Sequence, residues 1–209
     1  YKNVNDKWEK IGDDIDGEAA DDRSGGAVSL SADGSIVAIG AVQNDGNGNN
    51  SGHVRIYQNV NGTWTKVGDD IDGEAAGDYS GHAVSLSADG SVIAIGAYKN
   101  DGPGTDRGHV RIYQNINDRW EKIGDDIDGE YDNDYSGIST SLSSDGSIVA
   151  IGANGNEPGN RGHVRIYQNV NNAWEKIGDD IDGEAAWDNF GRSVSLSSDG
   201  SMVAIGAHG

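Results

Sequence analysis

Apolar and polar positions alternate over short stretches of this chain, and glycine-rich turns separate the stretches. Val28 and Leu30 alternate with Ala27, Ser29 and Ser31, the two-residue period of a strand with one covered face. Asp33-Gly34 follows as a tight hairpin turn. Ile36-Val37-Ala38-Ile39 is almost wholly apolar, which predicts a central strand covered on both faces. Gly40-Ala41 ends it with small residues, as a crowded strand end near a propeller axis requires. Val54 and Ile56 alternate with His53, Arg55 and Tyr57, predicting a strand with one covered and one more polar face. Asn61-Gly62 is a strong hairpin-turn pair, and a further strand begins near Trp64.

The whole pattern recurs. Trp8, Trp64, Trp120 and Trp174 lie 56, 56 and 54 residues apart, a period that marks a propeller, solenoid or array. The strand–turn–strand stretch 24–41 returns at 80–97, 136–153 and 190–207. In the second unit the strands are expected near 82–87, 91–96 and 109–114, with a fourth near 64–67 or its copy at 120–123. The fold expected is all-β: a β-propeller of four-stranded antiparallel blades of about 56 residues, with a β-solenoid-like array as the runner-up. Residues 1–209 read as one propeller or a fragment of a larger one. Its units are roughly 1–56, 57–112, 113–166 and 167–209, with both chain ends inside blades. The recurring tryptophans, fixed at one structural position, are expected as core residues packed between neighbouring sheets.

Composition narrows the function classes. Glycine fills 33 of 209 positions and no cysteine is present, so short strands rather than helices or disulfides must carry the fold. The formal charge is −20, from 35 acidic against 15 basic groups, which disfavours nucleic-acid phosphates and anionic membranes. No apolar run reaches the roughly 18 residues of a membrane-spanning helix, so direct membrane insertion is not expected.

The segments 190–207 and 80–97 carry a resemblance. Phe190-Gly191 and the Ser-Gly pairs at 24–25, 80–81 and 136–137 precede Gly-Ala at 40–41, 96–97, 152–153 and 206–207. This resembles the FG-GAP repeats of the integrin alpha-chain propeller. It looks closest to the tandem FG-GAP-like repeats of large microbial surface and secreted proteins. The usual proline is replaced by Val42, Tyr98, Asn154 and His208. The resemblance spans essentially the whole chain and implies a seven-bladed propeller located outside the cell or at its surface. The family's calcium loop, Asp-x-Asp-x-Asp-Gly, does not carry over. Its place is taken by the short turns at Asp33, Asp89, Asp145 and Asp199, too small for the six to eight oxygens calcium takes.

Calcium has other candidates. The Asp-Asp-Ile-Asp-Gly-Glu connection offers Asp14, Asp16 and Glu18, and its copies offer Asp70, Asp72 and Glu74; Asp126, Asp128 and Glu130; and Asp180, Asp182 and Glu184. The long polar loops add Asp45 and Asp101. Oxygen-only donors favour calcium over zinc. Against this, Asp and Asn in such loops also bend the chain by bonding their own backbone. His53, His109 and His163 occupy one repeat position, which reads as structural. No nucleophile elbow or phosphate loop occurs, and no enzymatic activity is expected. The function expected is a recognition or adhesion module for a protein or glycan. Tyr98, Tyr131, Tyr135 and Trp187 are its binding-surface candidates, because they differ between copies. The alternatives are a structural repeat module contacting its neighbours in a larger assembly, and a propeller-type hydrolase acting on a polysaccharide. The residues 100–112 have no counterpart at either chain end, so the chain is expected to be a window from a longer array.

Overall fold

The computed structural model describes residues 1–155 and 159–208. Positions 156–158 of the third long connection, and Gly209, lie outside it. The chain opens with a hairpin of β1 (Lys2–Val4) and β2 (Lys7–Glu9). The first full sheet follows: β3 (Ser24–Leu30), β4 (Ile36–Ala41), β5 (His53–Val60) and β6 (Thr63–Lys66), antiparallel and in sequence order. A two-residue strand, β7 (Ile71–Asp72), returns to the start of β5 and pairs with His53 and Val54. The outermost strand is therefore β6 plus β7, interrupted by the excursion 67–70.

The same plan repeats twice. One copy is β8 (Ala83–Leu86), β9 (Val92–Ala97), β10 (His109–Ile116), β11 (Arg119–Lys122) and β12 (Ile127–Asp128). The other is β13 (Ser136–Leu142), β14 (Ile148–Ala153), β15 (His163–Val170), β16 (Ala173–Lys176) and β17 (Ile181–Asp182). The chain closes on the hairpin of β18 (Ser193–Leu196) and β19 (Val203–Gly206). The fold is all-β and of the propeller type, with three complete blades and a two-stranded sheet at either end.

Local chemistry sets the turns. Asn61 and Gly62 both take positive φ, 54° and 89°, as a two-residue turn between right-twisted strands requires. At 31–35 the turn is longer than a two-residue hairpin. Asp33 closes it by accepting from the Ser35 amide (2.9 Å) and from the hydroxyls of Ser31 (2.8 Å) and Ser35 (2.7 Å).

Neighbouring blades join along their innermost strands. The Ser29 hydroxyl accepts from the Leu86 amide (2.9 Å), Ser85 from Leu142 (2.9 Å) and Ser141 from Leu196 (3.0 Å). The turns link in series: Ala32 donates its amide to the Ala88 carbonyl, Ala88 to Ser144 and Ser144 to Ser198, each at 2.8 Å. Apolar faces close over this seam. Ala38, Val54 and Ile56 of the first blade pack with Leu86, Ile93 and Ile95 of the second. Val92, Ala94, Val110 and Ile112 pack in turn with Leu142, Val149 and Ile151 of the third.

Successive blades also approach glycine on glycine. A Cβ on Gly40 would stand 2.1 Å from the Gly81 carbonyl oxygen, and one on Gly96 would stand 2.1 Å from that of Gly137. Gly81 and Gly137 themselves hold φ of 82° and 85°. The Gly-Ala and Ser-Gly pairs are thus two halves of one contact between successive blades. Gly206 lacks that neighbour, and its Cβ would meet mainly the Ser193 hydroxyl, at 2.3 Å.

Two expectations need correction. The tryptophans are not fully buried, although Trp120 and Trp174 pack against the apolar clusters between blades. Trp8 is 69% exposed, and Trp64, Trp120 and Trp174 are half-buried on the outermost strands. Each of these three reaches back one blade: Trp64 Nε1 donates to the Ile11 carbonyl (3.2 Å), Trp120 to Val67 (3.0 Å) and Trp174 to Ile123 (2.9 Å). They brace the outer rim. The polar face expected for β5, β10 and β15 is also buried, since His53 and Arg55 are 1% and 8% exposed. Glu18 from the connection before the blade, and Asp70 and Asp72 from the blade's own outermost strand, cover it.

Gly96→Ala is expected to destabilise the protein by about 1–3 kcal/mol or more, because backbone must move to admit the methyl group. Gly206→Ala is expected to cost clearly less, since a serine side chain can rotate aside. Urea unfolding of both variants checks the ordering; equal losses would refute the blade-to-blade contact as its cause.

Candidate functional site

Two groups of side chains stand out, one on the outer rim and one at the loop end of the blades. The rim group grows from the excursion that splits each outermost strand. Because β7 returns to pair with His53 and Val54, Asp70 and Asp72 are brought beside the His53 ring. Stacking of units adds Glu18 from the one before. His53 Nδ1 lies 3.9 Å from Glu18 Oε2, 4.0 Å from Asp70 Oδ2 and 3.9 Å from Asp72 Oδ1. The second copy assembles Glu74, Asp126 and Asp128 around His109, whose Nδ1 is 3.8 Å from Asp126 Oδ2 and 4.0 Å from Asp128 Oδ1.

Arginines and lysines pin these carboxylates. Arg55 donates to the Asp16 carbonyl (2.8 Å) and lies 3.5 Å from Glu18. Arg111 does the same with the Asp72 carbonyl (3.1 Å) and Glu74 (3.1 Å). Lys66 and Lys122 each hold the outer oxygen of Asp70 and Asp126 at 2.6 Å. The third copy is wired differently. Arg165 turns onto Asp180 (3.0 and 3.1 Å) and Glu130 (2.6 Å), and Lys176 also contacts Asp180. Burial opposes ionisation of Asp180, yet these hydrogen bonds from Arg165 and Lys176 hold it down at about 2.

Burial pushes the histidines down. It lowers His53 against the pull of Asp70, and it takes His109 and His163 to about 4, with Arg111 and Arg165 adding to the effect. Burial raises Asp72 and Asp128, and the facing carboxylates Asp70 and Asp126 raise them further.

The acidic candidates thus divide. Glu18, Asp70, Asp72, Glu74, Asp126 and Asp128 converge on a histidine, drawn from two successive units rather than from one connection. Glu130 and Asp180 are tied to Arg165. Asp14 pairs with Lys10 at 2.9 Å, while Asp16, Asp182 and Glu184 are exposed. Asp45 and Asp101 accept the amides of Asn50 (2.7 Å) and Asp106 (3.0 Å) in their own loops. Sequence reasoning missed the histidines as members of the group. The recurrent His-x-Arg that opens each long strand was the available signal.

At the loop end, buried carboxylates hold the connections in place. Asp22 accepts from Asn44 Nδ2 (2.9 Å) and Asp78 from Asn100 Nδ2 (3.0 Å), tying each long loop to the entry of its own blade. Above this frame Tyr98 packs against His82 (ring centroids 4.5 Å apart), Tyr79 (5.8 Å) and Tyr135 (6.1 Å). Lys99 Nζ stands 5.7 Å from the Tyr79 ring. Tyr98 and Tyr135 are therefore brought together. Tyr131 and Trp187 stay apart from the cluster, 47% and 71% exposed.

The FG-GAP repeat family model matches residues 71–113, and the internal copies extend the same pattern along the chain. No curated protein sequence matches. Among solved structures, the crystal structure of TolB from Acinetobacter baumannii is similar, with a TM-score of 0.50 and 14% identity. The likeness covers 86% of this chain and 36% of TolB, so the chain spans about a third of that protein's length. It shows the propeller fold alone.

The depressed histidines set a pH dependence. Above about pH 6.5 they are neutral in both folded and unfolded chains; below it the unfolded chain takes up protons that folded His109 and His163 refuse until about pH 4. Their contribution to stability is full above the unfolded value and is lost as pH falls through that window. Urea unfolding at about pH 7 and about pH 5 is expected to show lower stability at the acid value, with a smaller drop in His163→Gln. An unchanged drop in that variant would contradict the assignment.

Proposed function

We propose that the protein is a non-enzymatic recognition module acting outside the cell or at its surface, with a glycan as ligand. The observation that supports this reading is the cluster of Tyr79, His82, Tyr98 and Tyr135 at the loop end of the second and third blades. Tyr98 and His82 sit where the copies diverge, and Tyr79 and Tyr135 share one repeat position that is tyrosine in two copies of four. Counterparts of Tyr98 are Val42, Asn154 and His208, and those of Tyr135 include Arg23 and Asn189. The frame beneath does not diverge, so variation is confined to a surface. Half-buried aromatic rings offer flat apolar faces at little cost in side-chain entropy, and Lys99 and His82 supply polar groups beside them. A sugar ring stacks on such faces while its hydroxyls find hydrogen bonds. The formal charge of −20 favours neutral or basic ligands over acidic polymers.

The test is binding of the 209-residue protein to an array of neutral and charged glycans. Saturable binding is expected, weakened at least about tenfold by Tyr98→Ala, a loss of about 1.4 kcal/mol. Tyr131→Ala and Trp187→Ala are expected to change it less. Absence of glycan binding, or binding indifferent to Tyr98→Ala, would overturn the reading and favour a structural repeat module.

A further inference from the structure

The rim clusters leave a chemical demand that the protein's own groups do not meet. His53 and His109 are each 1% exposed. Their Nδ1 atoms point at carboxylates 3.8–4.0 Å away, beyond hydrogen-bonding distance. Burying an imidazole so poorly partnered is costly. The carboxylates are poorly served as well. Around His53, Glu18, Asp70 and Asp72 face only Arg55 and Lys66. Around His109, Glu74 and Asp126 pair with Arg111 and Lys122, while Arg107, itself paired with Asp132, acts on Asp128 from a distance. In each group three carboxylates meet two directly paired cations.

We infer that Glu18–His53–Asp70–Asp72 and Glu74–His109–Asp126–Asp128 are two equivalent sites for a divalent transition-metal ion of the zinc class. In each first-named triad, one donor atom per residue lies within 4.8 Å of the others. Ligands about 2.1 Å from a tetrahedral metal lie about 3.4 Å from one another, so modest closure of the present spacing admits the ion. A nitrogen donor among carboxylates selects zinc-like ions, whereas calcium takes oxygens alone. The third copy supplies an internal contrast. All three copies share a lysine on the aspartate and an arginine on the glutamate, but only Arg165 also bonds the aspartate, Asp180, at 3.0 and 3.1 Å, so a guanidinium stands where the ion would. Two sites are expected, not three. They lie apart from the Tyr98 cluster, so the inference does not rest on glycan recognition.

The experiment is calorimetric titration of the chelator-treated 209-residue protein with zinc chloride and, separately, calcium chloride. Two zinc ions per chain are expected, bound at least about 100-fold more tightly than calcium. Glu18→Gln and Glu74→Gln, both half-exposed and tolerant of change, are each expected to weaken one site at least about tenfold. His53→Gln, which preserves charge, removes one site. In the unmutated protein, zinc is expected to shift the imidazole NMR signals of His53 and His109 but not of His163, a readout independent of how any variant folds. Failure to saturate, equal affinity for calcium, indifference to the double Glu18→Gln/Glu74→Gln change, or an equal shift at His163 would each overturn the inference.

Discussion

The structure depends on backbone meeting backbone between successive blades at Gly40–Gly81 and Gly96–Gly137. At each meeting a methyl group would lie 2.1 Å from a carbonyl oxygen, a distance no side chain tolerates. This approach lets the serine hydroxyls of one inner strand reach the amides of the next, and it sets the distance at which Val54, Ile56, Leu86 and Ile93 fill the space between sheets. Dispersion and hydrophobic burial are short-ranged, so loss of the close approach loosens the packing outside it. The recurrent Gly-Ala and Ser-Gly pairs are the sequence trace of that geometry.

Outward from this seam the blades become polar and the packing looser. The outermost strand is split, and its excursion turns acidic groups back over His53 and His109 instead of into solvent. The half-buried tryptophans brace the same rim with one hydrogen bond each to the preceding blade. At the loop end, Asp22 and Asp78 fix the connections and leave surface positions such as Tyr98 and Tyr135 free to vary. Frame, rim and loop end thus carry separate tasks, and change in one need not disturb the others.

Much of the fold was legible in the sequence. The expected strands 82–87, 91–96, 109–114 and 120–123 fall within two residues of β8, β9, β10 and β11 at their starts and ends, because period-two patterning and Asn-Gly or Asp-Gly turns are local signals. Contacts between units were not legible. Glu18 read as a partner of Asp14 and Asp16, its neighbours in the chain, whereas stacking places it with Asp70 and Asp72. His53 and Arg55 read as the polar face of a strand and are buried, because their cover comes from the connection before the blade and from its outermost strand. The tryptophans read as core since they are large and regularly spaced. Period fixes equivalence of position, not depth, and the outermost strand has a neighbour on one side only. The Tyr98 cluster was half legible: divergence between copies marked Tyr98 and Tyr135, but nothing local marked Tyr79 or His82 as their company.

The central claim is that neighbouring sheets are locked blade to blade along their inner turns. Hydrogen–deuterium exchange measures this directly at the amides of Ala32, Ala88 and Ser144, whose only partners are the carbonyls of the next blade at 2.8 Å. The account predicts that all three exchange as slowly as the central-strand amides of Ile93 and Val149, since opening them requires separating blades. Exchange at the rate of an unprotected surface turn would mean that the sheets fold without that lock, and would contradict it.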